Sequence, residues 1–249
     1  MRKFSELAHF ENIIQRTEHP EQKGFRFHGT WAEDYFGNHN PVTLDLGCGK
    51  GSYTLAFAEK YPDRNFIGID VKGSRLWCGC VAAQQRSLTN VVFLRIDILS
   101  LAHYFAEGEV GEIWITFPDP FLKRSKSKRR LTADRYLALY KSVIREGAPI
   151  HLKTDSNPFF DFSLKSLIKN RCIIEEKIDN VYADEKRHED LYIKTDYEKK
   201  YLADNRVIKY LRFSLQLHLP GKGLSTRSLT RGGSRGSPED EQRELPVTH

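Results

Sequence analysis

The chain has 249 residues, of which 39% are hydrophobic, so it is long enough to bury the core of one ordinary domain and too polar for a membrane protein. No run approaches the roughly 18 consecutive apolar residues of a membrane-spanning helix, and Met1 to Glu11 lack the apolar segment of a secretory signal. The formal net charge of +6 and the isoelectric point of about 9.0 favour a polyanionic partner.

The four cysteines, Cys48, Cys78, Cys80 and Cys172, form no CxxC pair, and no second pair of ligands stands at zinc spacing. We therefore expect reduced thiols in a cytoplasmic protein without a bound metal.

The two ends of the chain differ in composition from its middle. Residues 1–40 are polar with scattered aromatics, and they predict an N-terminal extension containing a short helix and an irregular approach to the core. Residues 41–217 have the alternating pattern of a folded domain. Residues 218–249 are rich in Gly, Ser, Arg and Pro, which predicts a disordered tail.

From Val42 onward, short apolar runs alternate with helical patterns. The predicted strands are Thr43–Leu46, Phe66–Ile69, Val91–Leu94, Glu112–Phe117 and Ile150–Thr154. The predicted helices are Ser52–Lys60, Ser74–Ser87, Leu99–Phe105, Thr132–Ile144 with Thr132 as its cap, and Pro158–Ile168. Two late strands, Ile173–Val181 and Val207–Leu217, follow with no helix predicted between them.

This alternation predicts an α/β fold with a mostly parallel, doubly wound, Rossmann-like sheet. Right-handed crossovers place helices on both faces of such a sheet. The two late strands predict an antiparallel hairpin at one edge.

A glycine-rich loop, Asp45-Leu-Gly-Cys-Gly-Lys-Gly51, joins the first strand to the first helix. Its glycines, Gly47, Gly49 and Gly51, have GxGxG spacing rather than the GxGxxG of dinucleotide-binding loops. The carboxylate of Asp45 would repel a pyrophosphate but suits S-adenosylmethionine, which carries an ammonium and a sulfonium. The alternative is that the glycines serve only a tight turn.

Two further acids follow the next two strands. Asp70 ends the second strand, where its carboxylate is expected to accept hydrogen bonds from ribose hydroxyls, and Asp97 follows the third, within reach of an adenine amino group. Ligands of open α/β sheets bind at the carboxyl ends of the strands, so this series predicts a cofactor site there.

The turn Phe117-Pro-Asp-Pro-Phe121 follows the fourth strand. Two prolines end the strand and present Asp119 on a stiff backbone, so we interpret Asp119 as a catalytic residue. The alternative is a proline-rich turn in which Asp119 is only a cap.

A basic run begins two residues after this turn. Residues 123–130 contain six basic and no acidic side chains, a number equal to the net charge of the whole chain. We expect Lys126, Lys128, Arg129 and Arg130 to contact RNA phosphates, which would position the RNA without reading its sequence. The alternative is a solvated charge run.

Taken together, these residues resemble the bacterial tRNA (guanine-N7-)-methyltransferases. The resemblance covers about residues 31–211. The matching pieces are Asp45–Gly51, Phe117–Pro120, Lys123, Lys128–Leu131, Lys153–Asp155 and Thr195–Glu198. It implies a class I S-adenosylmethionine-dependent methyltransferase fold and methylation of N7 of a variable-loop guanosine, at position 46 of tRNA.

The resemblance also assigns residue roles. Asp45, Asp70, Asp97 and Asp119 fall at positions that contact the cofactor, and Asp119 is also the catalytic position. The implied substrate-binding residues are Lys123, Asp155, Thr195, Asp196, Tyr197 and Glu198. The chain departs from the family pattern at Phe121, where the family usually has Trp, at Lys126, where it commonly has His, and at Asp45 and Asp70, where Glu is frequent.

The implied chemistry needs no strong general base, because guanine N7 has a lone pair and no proton. Asp119 would stabilise the charge that develops on the base, and Glu198 or Asp155 would hold its N1 and N2 edge. Without the resemblance, Asp155 could equally be a turn residue, and Thr195 and Glu198 could merely cap a loop. Two other functions stay open: methylation of an exocyclic amine of a nucleic-acid base, and RNA binding without catalysis.

Overall fold

The structure, a computed structural model, describes residues 6–15, 24–183 and 187–216. The predicted tail at 218–249 lies outside these residues. No helix within the described ranges is long and apolar enough to cross a lipid bilayer.

The described residues form one eight-stranded sheet. Its strands are β1 (Ile13–Gln15), β2 (Val42–Leu46), β3 (Asn65–Ile69), β4 (Val91–Arg95), β5 (Val110–Thr116), β6 (Ile150–Thr154), β7 (Ile173–Ile178) and β8 (Lys209–Ser214). They lie in the order β1-β4-β3-β2-β5-β6-β8-β7. The pairs among β1 to β6 are parallel, whereas β8 is antiparallel to both β6 and β7.

Helices connect the strands. They are α1 (Ser52–Lys60), α2 (Gly73–Gln85), α3 (Leu101–Tyr104), α4 (Asp134–Lys141), α5 (Asn157–Lys169) and α6 (Asp196–Ala203). Short 3-10 turns cover Leu7–His9, Ile98–Ser100, Arg124–Arg129 and Glu189–Tyr192, and a π turn covers Trp31–Tyr35.

The central strands are buried on both faces, as expected for a parallel sheet covered by helices. Every residue of β2 and β3 is buried. One core lies between the sheet and α4 and α5, and the other lies between the sheet and α1 and α2. The predicted doubly wound sheet is therefore confirmed.

The N-terminal residues contribute to the sheet, which their sequence did not predict. β1 pairs in parallel with β4, with Ile13 opposite Phe93. Trp31 is fully buried, and its indole nitrogen donates to the Tyr104 carbonyl at 2.8 Å. Glu109 accepts hydrogen bonds from the backbone nitrogens of Gly29 and Trp31, at 2.9 Å each, and fixes this segment on the core.

The predicted cap of α4 is wrong. The helix starts at Asp134 after Ala133, and Thr132 is fully buried instead. Its hydroxyl lies 2.8 Å from the Ser163 hydroxyl, so it links the start of α4 to α5. A hydroxyl that is buried must find a partner, and here the tertiary partner replaces the helical amide.

The antiparallel edge is confirmed, but its two strands are not joined by a simple hairpin. The connection between β7 and β8 contains the helix α6. β8 then enters the sheet between β6 and β7.

Candidate active site

The chain order of the strands reverses at β2, which lies between β3 and β5. Ligands of such sheets bind in the crevice beyond the carboxyl ends of the strands at this point. The predicted glycine loop follows β2 and the predicted catalytic turn follows β5, so the fold places both at the reversal.

The glycine loop is shaped by close approach to the core. Gly51 has a φ of +76°, and a Cβ atom there would lie 2.6 Å from the ring of Phe93. The same ring leaves no room for a Cβ at Gly68 of β3 or at Gly79 of α2. Phe93 therefore fixes the distance of the loop from the sheet and requires glycine at three separate positions.

Asp45 lies at the base of this loop with a buried carboxylate. Oδ2 accepts a hydrogen bond from the Thr54 hydroxyl at 2.7 Å. Among the described residues no group donates to Oδ1, and burial raises the pKa of this carboxyl to about 6. A buried carboxylate with one unpartnered oxygen fits the ammonium group of S-adenosylmethionine and does not fit a phosphate.

Asp70 is oriented by two backbone amides. Gly49 N–H donates to Oδ2 at 3.1 Å, and Lys72 N–H donates to Oδ1 at 2.8 Å. Each carboxylate oxygen keeps a lone pair, so both remain available to a diol such as the ribose of a nucleoside. The glycine loop and the end of β3 are thereby held together.

Asp97 is exposed just beyond the end of β4. Its Oδ1 accepts from Leu99 N–H at 2.9 Å and starts a 3-10 turn. It lies two residues beyond β4, the neighbour of β3, and, like Asp45 and Asp70, it is not one of the residues that line the cleft between the glycine loop and the catalytic turn.

The predicted catalytic turn is strained at both ends. Phe117 has a φ of 48° and Phe121 a φ of 40°, in a region that bulky residues rarely adopt. Asp119 is exposed between them, and its Oδ1 accepts from Phe121 N–H at 3.1 Å. Strain of this kind persists only where the surroundings hold it in place.

Arg130 supplies that restraint at the Phe121 end of the turn. It is 7% exposed, and its guanidinium donates to the carbonyls of Pro120 and Phe121 at 3.0 and 3.1 Å. It also packs over the ring of Phe162 at 4.4 Å. This buried position does not fit the RNA contact that the sequence predicted for Arg130.

The rest of the basic run is exposed on a 3-10 turn. Within the described residues, none of the five other basic side chains of residues 123–130 forms an ion pair, and these are Lys123, Arg124, Lys126, Lys128 and Arg129. Arg129 lies 4.9 Å from the ring of Phe121, which connects the run to the catalytic turn. These charges are available to a polyanion.

The segment Thr195–Glu198 forms the start of α6 and divides into two parts. Thr195 caps the helix by accepting from Glu198 N–H at 3.0 Å, while Asp196 and Tyr197 are exposed and line the cleft. Glu198 is completely buried. The structure therefore brings only part of the predicted substrate-binding set to the cleft surface.

Glu198 forms a buried ion pair that the sequence did not predict. Its Oε1 lies 2.6 Å from Nζ of Lys153 and accepts from the Tyr182 hydroxyl at 2.7 Å. Lys153 also donates to the Tyr53 hydroxyl at 2.7 Å. Burial lowers the pKa of Lys153 to about 8 and raises the pKa of Glu198. A lysine inside the apolar strand β6 is the sequence signal for this pair.

A single cleft of about 880 Å³ joins the glycine loop, the catalytic turn, Asp155 and the start of α6. Arg206, for which the sequence predicted no role, also lines it. No group of three or more His, Cys, Asp or Glu side chains in the described part of the chain is arranged to hold a metal ion.

Comparisons with known proteins place this chain among methyltransferases. Residues 39–211 match the model of the family described as "Putative methyltransferase". The tRNA (guanine-N(7)-)-methyltransferase of Porphyromonas gingivalis is 46% identical over 197 residues, covering 78% of this chain and 80% of the relative. The enzyme of the same name from Christiangramia forsetii is 41% identical over 218 residues, covering 87% and 97%.

A solved structure shares the fold. The 16S rRNA methyltransferase KamB superposes with a TM-score of 0.57 at 17% identity, over 74% of this chain and 92% of that chain. The predicted class I methyltransferase fold is confirmed by this likeness and by the family match. With its sheet, its glycine loop and relatives that align along most of its length, the chain belongs to the tRNA (guanine-N7-)-methyltransferase family.

Proposed function

We propose that this protein transfers a methyl group from S-adenosylmethionine to N7 of a guanosine in tRNA, at position 46 of the variable loop. The observation that carries the proposal is the cleft that joins the glycine loop after β2 to Asp119 after β5. The names of the aligned relatives support the same reaction.

The cofactor is held by carboxylates. Asp45 binds the ammonium group through its unpartnered Oδ1, and Asp70 accepts hydrogen bonds from the ribose hydroxyls. Asp97 accepts from the adenine amino group at the outer end of the site. When bound, S-adenosylmethionine supplies an electrophilic methyl group on a sulfonium.

The protein contributes orientation and charge to the reaction. Guanine N7 attacks with its own lone pair, so a C–N bond forms as the C–S bond breaks and no proton is transferred. Fixing the two reactants in one cleft contributes roughly 7–11 kcal/mol to such a step. Asp119, held on the strained turn, stabilises the positive charge that remains on the methylated base.

We assign contacts with the substrate to residues at the surface of the cleft. Asp155 holds the N1 and N2 edge of guanine, since Glu198 is occupied by Lys153 inside the core. Asp196 and Tyr197 contact the nucleotide, and Thr195 positions them by capping α6. Lys123, Lys126, Lys128 and Arg129 bind phosphates, whereas Arg130 braces the turn.

The test is methylation of an unmodified tRNA transcript with labelled S-adenosylmethionine, followed by nucleoside analysis. We expect labelled 7-methylguanosine, lost when the variable-loop guanosine is replaced. Asp119→Asn should lower kcat about 100-fold. Asp161→Asn, an exposed acid on α5, is the matched control and should not change kcat.

Other outcomes separate the remaining functions. Label on an exocyclic amine would replace the N7 assignment, and RNA binding with no cofactor binding in calorimetry would indicate a protein without catalysis.

Since tRNA is the proposed substrate, we propose that the protein lies in the cytoplasm, which cell fractionation tests. We propose that the folded domain includes the described part of residues 1–40, because β1 pairs with β4 and Trp31 is buried in the core, and that it ends near residue 217 before a tail at 218–249. Limited proteolysis tests these boundaries.

A further inference from the structure

Asp155 and Arg206 form an ion pair on the wall of the cleft. Asp155 follows β6 and Arg206 precedes β8, and the antiparallel pairing of these strands brings the two residues together. Arg206 donates from Nη1 to Oδ2 of Asp155 at 2.8 Å. The guanidinium also packs on the ring of Tyr201 at 4.6 Å, so it is held from two sides.

This pair leaves hydrogen-bonding capacity unused on both partners. A guanidinium has five N–H donors, and a carboxylate has about four acceptor positions. Only 16% of the Asp155 side chain and 49% of the Arg206 side chain are exposed, and both residues line the cleft. A base entering the cleft therefore meets a donor beside two acceptors.

Among the four RNA bases only guanine has the matching edge. Its Watson–Crick edge carries the acceptor O6 followed by the donors N1–H and N2–H. Adenine reverses the first two positions, uracil has a second acceptor in the last position, and cytosine begins with a donor and continues with acceptors.

We propose that Arg206 is a specificity-determining residue, which donates to guanine O6 while Asp155 accepts from N1–H and N2–H. This inference rests on the proposed function, and it adds a residue that discriminates guanosine from the other nucleosides. Two polar partners that match one base discriminate against the others, because a wrong base that covers them leaves their donor and acceptors unpaired.

The orientation is consistent with reaction at N7. N7 lies on the neighbouring Hoogsteen edge, so contacts confined to O6, N1–H and N2–H leave its lone pair free. Asp155 and the catalytic turn follow β6 and β5, which are neighbours in the sheet, so the base would lie between the pair and Asp119. The guanosine must then be unpaired and turned out of the RNA, as in other enzymes that modify bases.

The experiment compares three tRNA transcripts, with guanosine, inosine or 6-thioguanosine at the modified position. Inosine lacks the N2 amino group, and sulfur in 6-thioguanosine is a weaker acceptor than O6. The variants are Arg206→Met, Arg206→Lys and the control Arg212→Met, whose arginine pairs with Glu175 outside the cleft. The readout is kcat/KM for formation of the 7-methylated nucleoside.

We expect Arg206→Met to lower kcat/KM for guanosine at least about 10-fold, the loss of one charge-assisted hydrogen bond. Its preference for guanosine over 6-thioguanosine should disappear, while its preference for guanosine over inosine should remain because Asp155 provides it. Arg206→Lys should restore part of the preference for O6, and Arg212→Met should behave as the wild type. Equal melting temperatures show that each variant is folded.

Two results would overturn the inference. Equal losses on guanosine and 6-thioguanosine would mean that Arg206 acts through an RNA phosphate or only by holding Asp155. Unchanged kinetics in Arg206→Met would remove any role. If the wild type forms no 7-methylguanosine in the first transcript, the proposed function itself fails, and the inference with it.

Discussion

Asp45 is a carboxylate that the fold buries without a full set of donors. One oxygen accepts a hydrogen bond from the Thr54 hydroxyl, and the described residues offer no donor to the other. A buried, partly satisfied carboxylate lowers the stability of the empty protein. Because the folded pKa is about 6 and the ordinary value is 3.8, the folded state binds more protons in that window, and stability falls as pH rises through it.

Asp45→Asn should therefore separate binding from stability. We expect affinity for S-adenosylmethionine to fall about 10- to 150-fold at pH 7.5, since one charge-assisted hydrogen bond is lost. The free energy of unfolding of the empty protein should stay equal or rise. In the wild type, affinity should also weaken below about pH 6, where Asp45 becomes protonated.

Isothermal titration calorimetry and denaturant unfolding measure the two effects. Asp63→Asn, an exposed aspartate after α1, is the control for the loss of one negative charge. A variant that binds the cofactor as tightly as the wild type would remove Asp45 from the site.

At the scale of elements, a buried ion pair connects α6 to the sheet. The helix supplies Asp196 and Tyr197 to the cleft, and the Lys153–Glu198 pair beneath it connects α6 to β6. Burial acts against both charges, as the lowered pKa of Lys153 and the raised pKa of Glu198 indicate. Such pairs add little net stability when intact but are costly when only one partner remains.

We expect Lys153→Met alone to destabilise the protein by about 3–5 kcal/mol, because it leaves Glu198 buried without its cation. Lys153→Met combined with Glu198→Leu should recover most of this loss. Urea unfolding of both variants and of Glu198→Leu completes the double-mutant cycle.

Lys199→Met on the exposed face of α6 is the matched control and should change stability by less than about 0.5 kcal/mol. Additive effects of the two core substitutions would show that the pair is not coupled. The stable double variant should still lose activity if α6 shifts in the cleft.

Tertiary context limited what the sequence revealed about elements and residues. The continuous apolar runs of β2 to β6 and the glycine spacing are local signals, and they predicted the sheet and the cofactor loop. β1 has only three residues and α6 has mostly polar residues, so neither segment shows a clear periodicity of apolar residues. Arg130 looks like its neighbours in the basic run, and only the folded turn shows that its guanidinium is buried.

At the scale of the whole molecule, the exposed basic run should dominate RNA binding. Each phosphate contact contributes about 0.7–0.9 to the slope of log affinity against log salt concentration. We expect the double variant Lys126→Ala, Lys128→Ala to reduce this slope by about 1.4–1.8. Fluorescence anisotropy with labelled tRNA at several salt concentrations measures it.

Two single variants test whether the change in salt dependence is specific to the exposed basic residues. Arg130→Met should lower kcat and leave the slope unchanged, because its guanidinium binds carbonyls of the catalytic turn. Arg86→Ala, at the end of α2, removes an exposed charge that pairs with Glu59 and should leave both quantities unchanged. An unchanged slope in the double variant would mean that the tRNA binds elsewhere.

The pairing of β1 with β4 also sets an order of events during synthesis. Ile13 pairs with Phe93, and 80 positions separate them in the chain. At about 5–20 residues per second, the ribosome needs roughly 4–16 s to make the partner of β1. During that interval Ile13 and Ile14 have no strand to join, so a nascent chain halted before residue 95 would leave them accessible to a chaperone that binds apolar segments.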